Sequence, residues 1–121
     1  MKNKLWISVL FVLVVLAFTQ TQAGIFFWTG NKLVELMTEY DKANANASDA
    51  NYAKAMIYGA YIIGVCDATR WLYDIPDHAT QGQVVAVVAK FFKENPERWS
   101  EPAADLVIDA LQKAFPLKNK K

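Results

Sequence analysis

A single cysteine, Cys66, is all the thiol in this 121-residue chain, so no internal disulfide can form and packing alone must hold the fold. One histidine, His78, sits beside Asp77 in a proline-containing stretch, and no cluster of His, Cys and carboxylates occurs at metal-ligand spacing. Nucleophile elbows of the G-x-S-x-G type, phosphate-cradling glycine loops and C-x-x-C pairs are all missing. Arg70, one turn beyond Cys66, could lower a thiol pKa, but nucleophilic catalysis also needs a base, and Ile62 occupies the preceding turn. These absences argue against an enzyme, a metal centre or a cofactor. Lys and Arg number 13 against 12 Asp and Glu, for a formal net charge of +1. So even a balance lacks the concentrated basic field that nucleic acid or anionic lipid would require.

What is present begins with a leader. Lys2 and Lys4 precede an uncharged apolar run from Leu5 to Phe18, and Thr19 to Ala23 turns small and polar. This is the pattern of an export signal spanning residues 1–23, with Thr21-Gln22-Ala23 as the cleavage tripeptide. The apolar run is shorter than the roughly 20 residues of a bilayer span. An uncleaved anchor is the competing reading. Residues 24–121 then form one small domain with a modest core, placed outside the cytosol.

Four helices are expected in that domain, and no strand. Thr29 caps helix A over about 30–42, with Leu33, Leu36, Met37 and Tyr40 on one face. Ile25 to Trp28, just before it, is apolar enough either to dock on the core or to belong to the leader. Residues 43–49 read as a loop, in which Asn46-Ala47-Ser48 is a weak sequon match. Ser48 or Asp49 caps helix B, about 50–73. No charge falls between Lys54 and Asp67, so helix B reads as a central helix buried on most sides. Ala60, Gly64 and Ala68 recur every four residues, a strip where another helix could approach closely, within the chain or from a second copy. Gly59 and Gly64 cost about 1 kcal/mol each against alanine and suggest tight packing. Asp67 interrupts this helix and reads as a buried carboxylate accepting hydrogen bonds. Cys66 reads as a buried thiol.

Pro76 breaks the chain after helix B. Thr80-Gln81-Gly82-Gln83 fits a capping box opening helix C, which runs to about Lys93 with Val84, Val85, Val88, Phe91 and Phe92 on one stripe. A turn at 94–99 follows. Ser100 caps helix D, with Pro102 in its first turn, and Ala103, Leu106, Val107, Ala110, Leu111 and Ala114 give the cleanest stripe. Phe115-Pro116 ends that helix, and Lys118 to Lys121 form a basic tail. Trp99 either anchors a partner or caps the core. The fold class is therefore all-α, a small orthogonal bundle of four helices or slightly more.

Several segments together resemble the Rap/Tai family of periplasmic immunity proteins. These are Thr29 to Leu36, Ala60 to Ala68, Gln83-Val84-Val85, Val88 to Phe92, Glu94-Asn95-Pro96-Glu97, Leu106 to Leu111 and Ala114-Phe115-Pro116, in family order and spacing. The resemblance covers nearly all of residues 24–121. It implies a small helical protein, often dimeric, that binds and blocks a peptidoglycan amidase delivered by type VI secretion. The implied setting is the periplasm, with membrane contact only through the leader. The family's four cysteines match Met37, Tyr58, Asp74 and Leu117 here, so both implied bridges are missing. Glu94, Glu97, Arg98 and Trp99 in the C–D turn are the expected contacts for the amidase cleft. An alternative function is a periplasmic stress or chaperone-like binding protein without a toxin partner.

Overall fold

The computed structural model describes residues 27–118. The expected leader, with Ile25 and Phe26, lies outside the described residues. Four α-helices make up the fold: α1 (Gly30–Asn44), α2 (Tyr52–Ala68), α3 (Gln81–Glu94) and α4 (Ala103–Ala114). Single 3-10 turns follow α2 (Arg70–Leu72) and α3 (Pro96–Arg98). The fold is all-α, as its periodicities predict. One isolated antiparallel bridge, Thr29 with Pro102, is the sole β-type pairing among the described residues.

The capping box forms as read. Thr80 Oγ1 accepts from the Gln83 amide at 3.2 Å, and the Thr80 amide donates to Gln83 Oε1 at 2.8 Å. That satisfies two amide donors otherwise left open at the start of α3. Thr29 stands at the N-cap of α1 as expected, but its side chain makes no cap hydrogen bond. Two other caps fall elsewhere than expected. Asn51, rather than Ser48 or Asp49, caps α2 by accepting from the Lys54 amide at 3.1 Å. Ser100 does not cap α4, because the chain start supplies the partner instead. The Ala103 amide donates to the Trp28 carbonyl at 2.9 Å, and the Gly30 amide donates to the Glu101 carbonyl at the same distance.

Helix α2 ends at Ala68, five residues before its expected end. The side chains just beyond it close the last turn: Thr69 Oγ1 donates to the Val65 carbonyl at 2.7 Å, and Tyr73 Oη to the Cys66 carbonyl at 2.8 Å. Tyr73 therefore caps the helix from outside, through acceptors that a continuing helix would use itself. Burial pushes the Tyr73 phenol up to about 12, against the Thr69 hydroxyl, which lowers it, and with the Cys66 side chain adding to the rise.

Leu33, Tyr58, Ile62, Val88, Phe92, Leu106, Val107 and Leu111 make up the inaccessible centre of the core. Full burial of such side chains contributes roughly 1.5–3 kcal/mol each. The stripes of α1 and α3 face this core as their spacing predicts, with Tyr40 half-buried. The α4 stripe does so except for Ala114, which is exposed. Tyr40 packs tilted on Tyr58, ring centroids 5.1 Å apart, and Trp28 stacks on Tyr61 at 4.8 Å. Trp28 thus docks on the bundle, while Phe27 is 93% exposed.

Candidate interaction surface

The expectation that α2 is buried on most sides is overturned. Only one face of it, Ala55, Tyr58, Ile62 and Cys66, enters the core. The opposite face carries Ala53, Met56, Ile57, Ala60, Gly64 and Ala68, all exposed, and Trp71 continues it in the next turn. Neither Gly59 nor Gly64 packs tightly, since a methyl group on either would meet nothing within 4 Å. Asp67 is likewise not a buried carboxylate. It stands exposed on the outward half of the helix, with no hydrogen bond from Arg70 or from any helix start among the described residues. A helix that is apolar or small on every side shows no polar stripe from which to read its outer face, and α2 is such a helix.

Among the described residues six large apolar side chains are exposed, and Tyr52, Met56, Ile57 and Trp71 of these belong to α2 and its following turn. Met56 is 74% and Trp71 71% accessible. Clustered apolar exposure of this kind marks protein interaction sites on small domains. Small residues Ala60 and Gly64 form its floor, and bulky ones stand at either end.

The turn between α3 and α4 is more self-contained than its sequence suggests. Trp99 is half-buried, and its Nε1 donates to the Phe92 carbonyl at 2.9 Å. Arg98 donates to both Glu101 carboxylate oxygens, at 2.9 and 2.6 Å, and to Asp109 Oδ2 at 2.7 Å. It also lies 5.7 Å from the Phe91 ring centroid. These carboxylates raise the guanidinium's affinity for its proton, and the Glu101 carboxyl is lowered in return. Glu94 is exposed and 3.8 Å from Lys90, whereas Glu97 is exposed with no ion-pair partner among the described residues. Of the four residues expected at a partner contact, Glu94 and Glu97 therefore face outward, and Arg98 and Trp99 bind their own chain.

A cleft of about 490 Å³ opens beside the end of α2, lined by Cys66, Asp67, Arg70, Asp74 and Asp77 together with apolar Ile63, Ile75 and Val84. Cys66 is buried and unpaired, as its apolar neighbours predict. A second cavity, of about 480 Å³, is lined by His78, Val87 and Phe115. Cys66 and His78 thus face different cavities. Among the described residues no group of three or more His, Cys, Asp or Glu side chains could share one metal ion. The arrangement offers binding surfaces.

At two of the four positions where the resembled family carries cysteine, Met37 and Tyr58 are buried apolar packing. At the other two, hydrogen bonds join the same segments. The Asp74 amide donates to the Phe115 carbonyl at 3.0 Å, and Asp74 Oδ2 accepts from the Lys118 amide at 2.7 Å.

A protein-family model described as Rap1a immunity proteins matches residues 29–117. That range takes in all four helices. No curated protein matches the chain.

Proposed function

The chain belongs to the family of Rap1a immunity proteins, and from that membership we propose that it blocks a peptidoglycan amidase delivered by type VI secretion. Membership makes it an immunity protein against a secreted effector, which implies a cognate effector protein as its binding partner. The finer reading is that it acts in the periplasm after its leader is removed, and that it neutralises the effector by occupation rather than by catalysis. The observation that carries a binding role is the apolar outer face of α2. Trp71, Met56 and Ile57 supply anchor side chains of the kind that dominate interface energetics, around a floor flat enough for another backbone to approach. Glu94 and Glu97 on the α3–α4 turn are the second candidate contact.

A homodimer is the other reading of the same α2 face. An antiparallel pair of α2 helices centred on Gly64 would set Ile57 against Trp71 and Ala60 against Ala68, a self-complementary pattern suited to two-fold symmetry.

The test is co-expression with the exported amidase encoded nearest this gene. Cells exposed to the amidase in the periplasm should lyse alone, survive with the wild-type protein, and lyse again when it carries Trp71→Ala and Gly64→Glu. Survival that never depends on the protein rejects the immunity reading for that amidase. Survival with both substitutions moves the contact to the α3–α4 turn. A variant that becomes monomeric yet still protects assigns the α2 face to the second copy.

A further inference from the structure

The cavity of about 480 Å³ beside α3 differs in kind from the cleft at the end of α2, because no carboxylate lines it. Its apolar surface comes from Ala86 and Val87 on α3, from Pro76 in the loop before that helix, and from Phe115 just past α4. Ala86 is exposed, and Val87 and Phe115 are half-buried, so the cavity is a groove and a ligand in it keeps one side in water. Asp77, next to Pro76 in sequence, lines the other cleft.

Three polar side chains complete the lining, and each brings N–H groups. Gln83 Oε1 is already engaged, accepting from the Thr80 amide at 2.8 Å and from the Thr80 hydroxyl at 3.3 Å. The capping box thereby fixes which end of that side-chain amide is left over, and Nε2 donates to no described residue. Lys90 is exposed, with Nζ 3.8 Å from the Glu94 carboxylate, beyond hydrogen-bond reach. His78, exposed on the loop, adds a ring N–H.

An apolar floor edged by donors and one cation selects an apolar body that carries acceptors and a negative charge. Gln83 and Lys90 stand at opposite ends of the floor, two turns apart on α3, or about 10 Å along the axis. Three residues of extended peptide cover that same length. We propose that the groove receives the last three residues of a peptide with an apolar C-terminus. The terminal carboxylate meets Lys90, a backbone carbonyl two residues back accepts from Gln83 Nε2 or His78, and the last side chain lies over Ala86 and Val87 against Phe115. A free acid would use the Lys90 end alone and leave the donors at the other end idle. This proposal stands apart from the effector reading, because short peptides and the purified protein test it.

The probe is N-acetyl-alanyl-valyl-leucine with a free carboxylate, titrated into the isotope-labelled protein. Saturable shifts are expected at the amides of Gln83, Ala86, Val87, Lys90 and Phe115. The same peptide ending in a carboxamide should bind about tenfold more weakly, the factor that one hydrogen bond to a charged group supplies. Lys90→Met should weaken the free-acid peptide by about the same factor and leave the carboxamide unaffected. Ala86→Glu, which sets a carboxylate on the floor, should abolish binding of the free acid. Both replaced side chains are exposed, so the melting temperature should hold. Equal binding of acid and carboxamide by the wild type overturns the proposal, and that comparison needs no variant. Absence of saturable shifts overturns it too, as do shifts that gather on α2 instead. Hexanoate binding as tightly as the tripeptide would give the groove to a free acid and overturn it equally.

Discussion

Gly30 lies against the backbone of Trp99 so closely that a methyl group on it would stand 2.8 Å from the Trp99 carbonyl oxygen and 2.9 Å from its Cα. The Asn31 amide donates to that same carbonyl at 2.7 Å, which fixes the approach. Backbone cannot step aside as a flexible side-chain end can. Gly30→Ala should therefore cost roughly 1–3 kcal/mol, the usual range for overpacking a filled site. Urea denaturation checks this, with a lower midpoint at unchanged slope as the expected result.

Tyr58 is completely buried, and its hydroxyl has no hydrogen-bond partner among the described residues. Desolvation raises its pKa strongly, so the phenol stays neutral at any ordinary pH. An unsatisfied buried hydroxyl costs about 1–3 kcal/mol relative to one that is paired. Tyr58→Phe should leave the melting temperature unchanged or raise it, whereas Tyr58→Ala should lower stability by about 3–5 kcal/mol. A clear loss on Tyr58→Phe would reveal a partner for that oxygen.

Gly59 and Gly64 occupy helix interior with open space at each Cβ. Alanine at either position should stabilise the monomer by about 0.5–1 kcal/mol through the unfolded chain's lost freedom. Thermal melts of the single and double variants measure it, and the two gains should add.

Acid should expose the contribution of Glu35. Hydrogen bonds from Lys32 and Lys54, both at 2.8 Å, hold its carboxyl down to about 2 from an ordinary value of 4.5. A depressed carboxyl stabilises the fold above its unfolded pKa, and the stabilisation disappears as pH falls through the folded one. Between pH 4.5 and about 2 the wild type should therefore lose stability on a steeper slope than Glu35→Gln. Because Glu35 is exposed, about 1 M salt should narrow the difference. Parallel slopes for the two proteins would contradict the ion-pair account.

Alkali acts on Tyr73 in the opposite sense. Its phenol is raised to about 12, so the protonated form that donates to Cys66 and closes α2 persists in the fold after a free tyrosine would have ionised. The stabilisation is complete below pH 10 and lost as pH climbs towards 12. Tyr73→Phe removes the bond and should flatten that alkaline decline, measured by helical circular dichroism.

The local signals in the sequence were dependable wherever one face of a helix is polar. The Thr80–Gln83 box and the stripes of α3 and α4 place those helices within a residue or two of their observed bounds. Helix α2 defeated the same logic, because Met56, Ile57, Ala60 and Gly64 make its solvent face as apolar as the face in the core. A helix read as enclosed makes Asp67 an intruder needing a partner, whereas Asp67 stands exposed on the outward half of α2. Ser100 failed as a cap for another reason: its competitor, Trp28, comes from far along the chain, and no local pattern announces it. The unpaired carboxylates of the cleft were equally invisible, since Asp67, Asp74 and Asp77 are joined only by the turn after α2 folding back.

The pairing of Thr29 with Pro102 has a consequence for the order of events in making this protein. It joins the first described residues to a segment more than seventy positions later, so the seam cannot form until Pro102 and its neighbours have been added to the chain. Closing so long a loop is entropically slow relative to winding a helix. During synthesis individual helices can form and dissolve, but this seam has nothing to close on until the last quarter of the chain has been made.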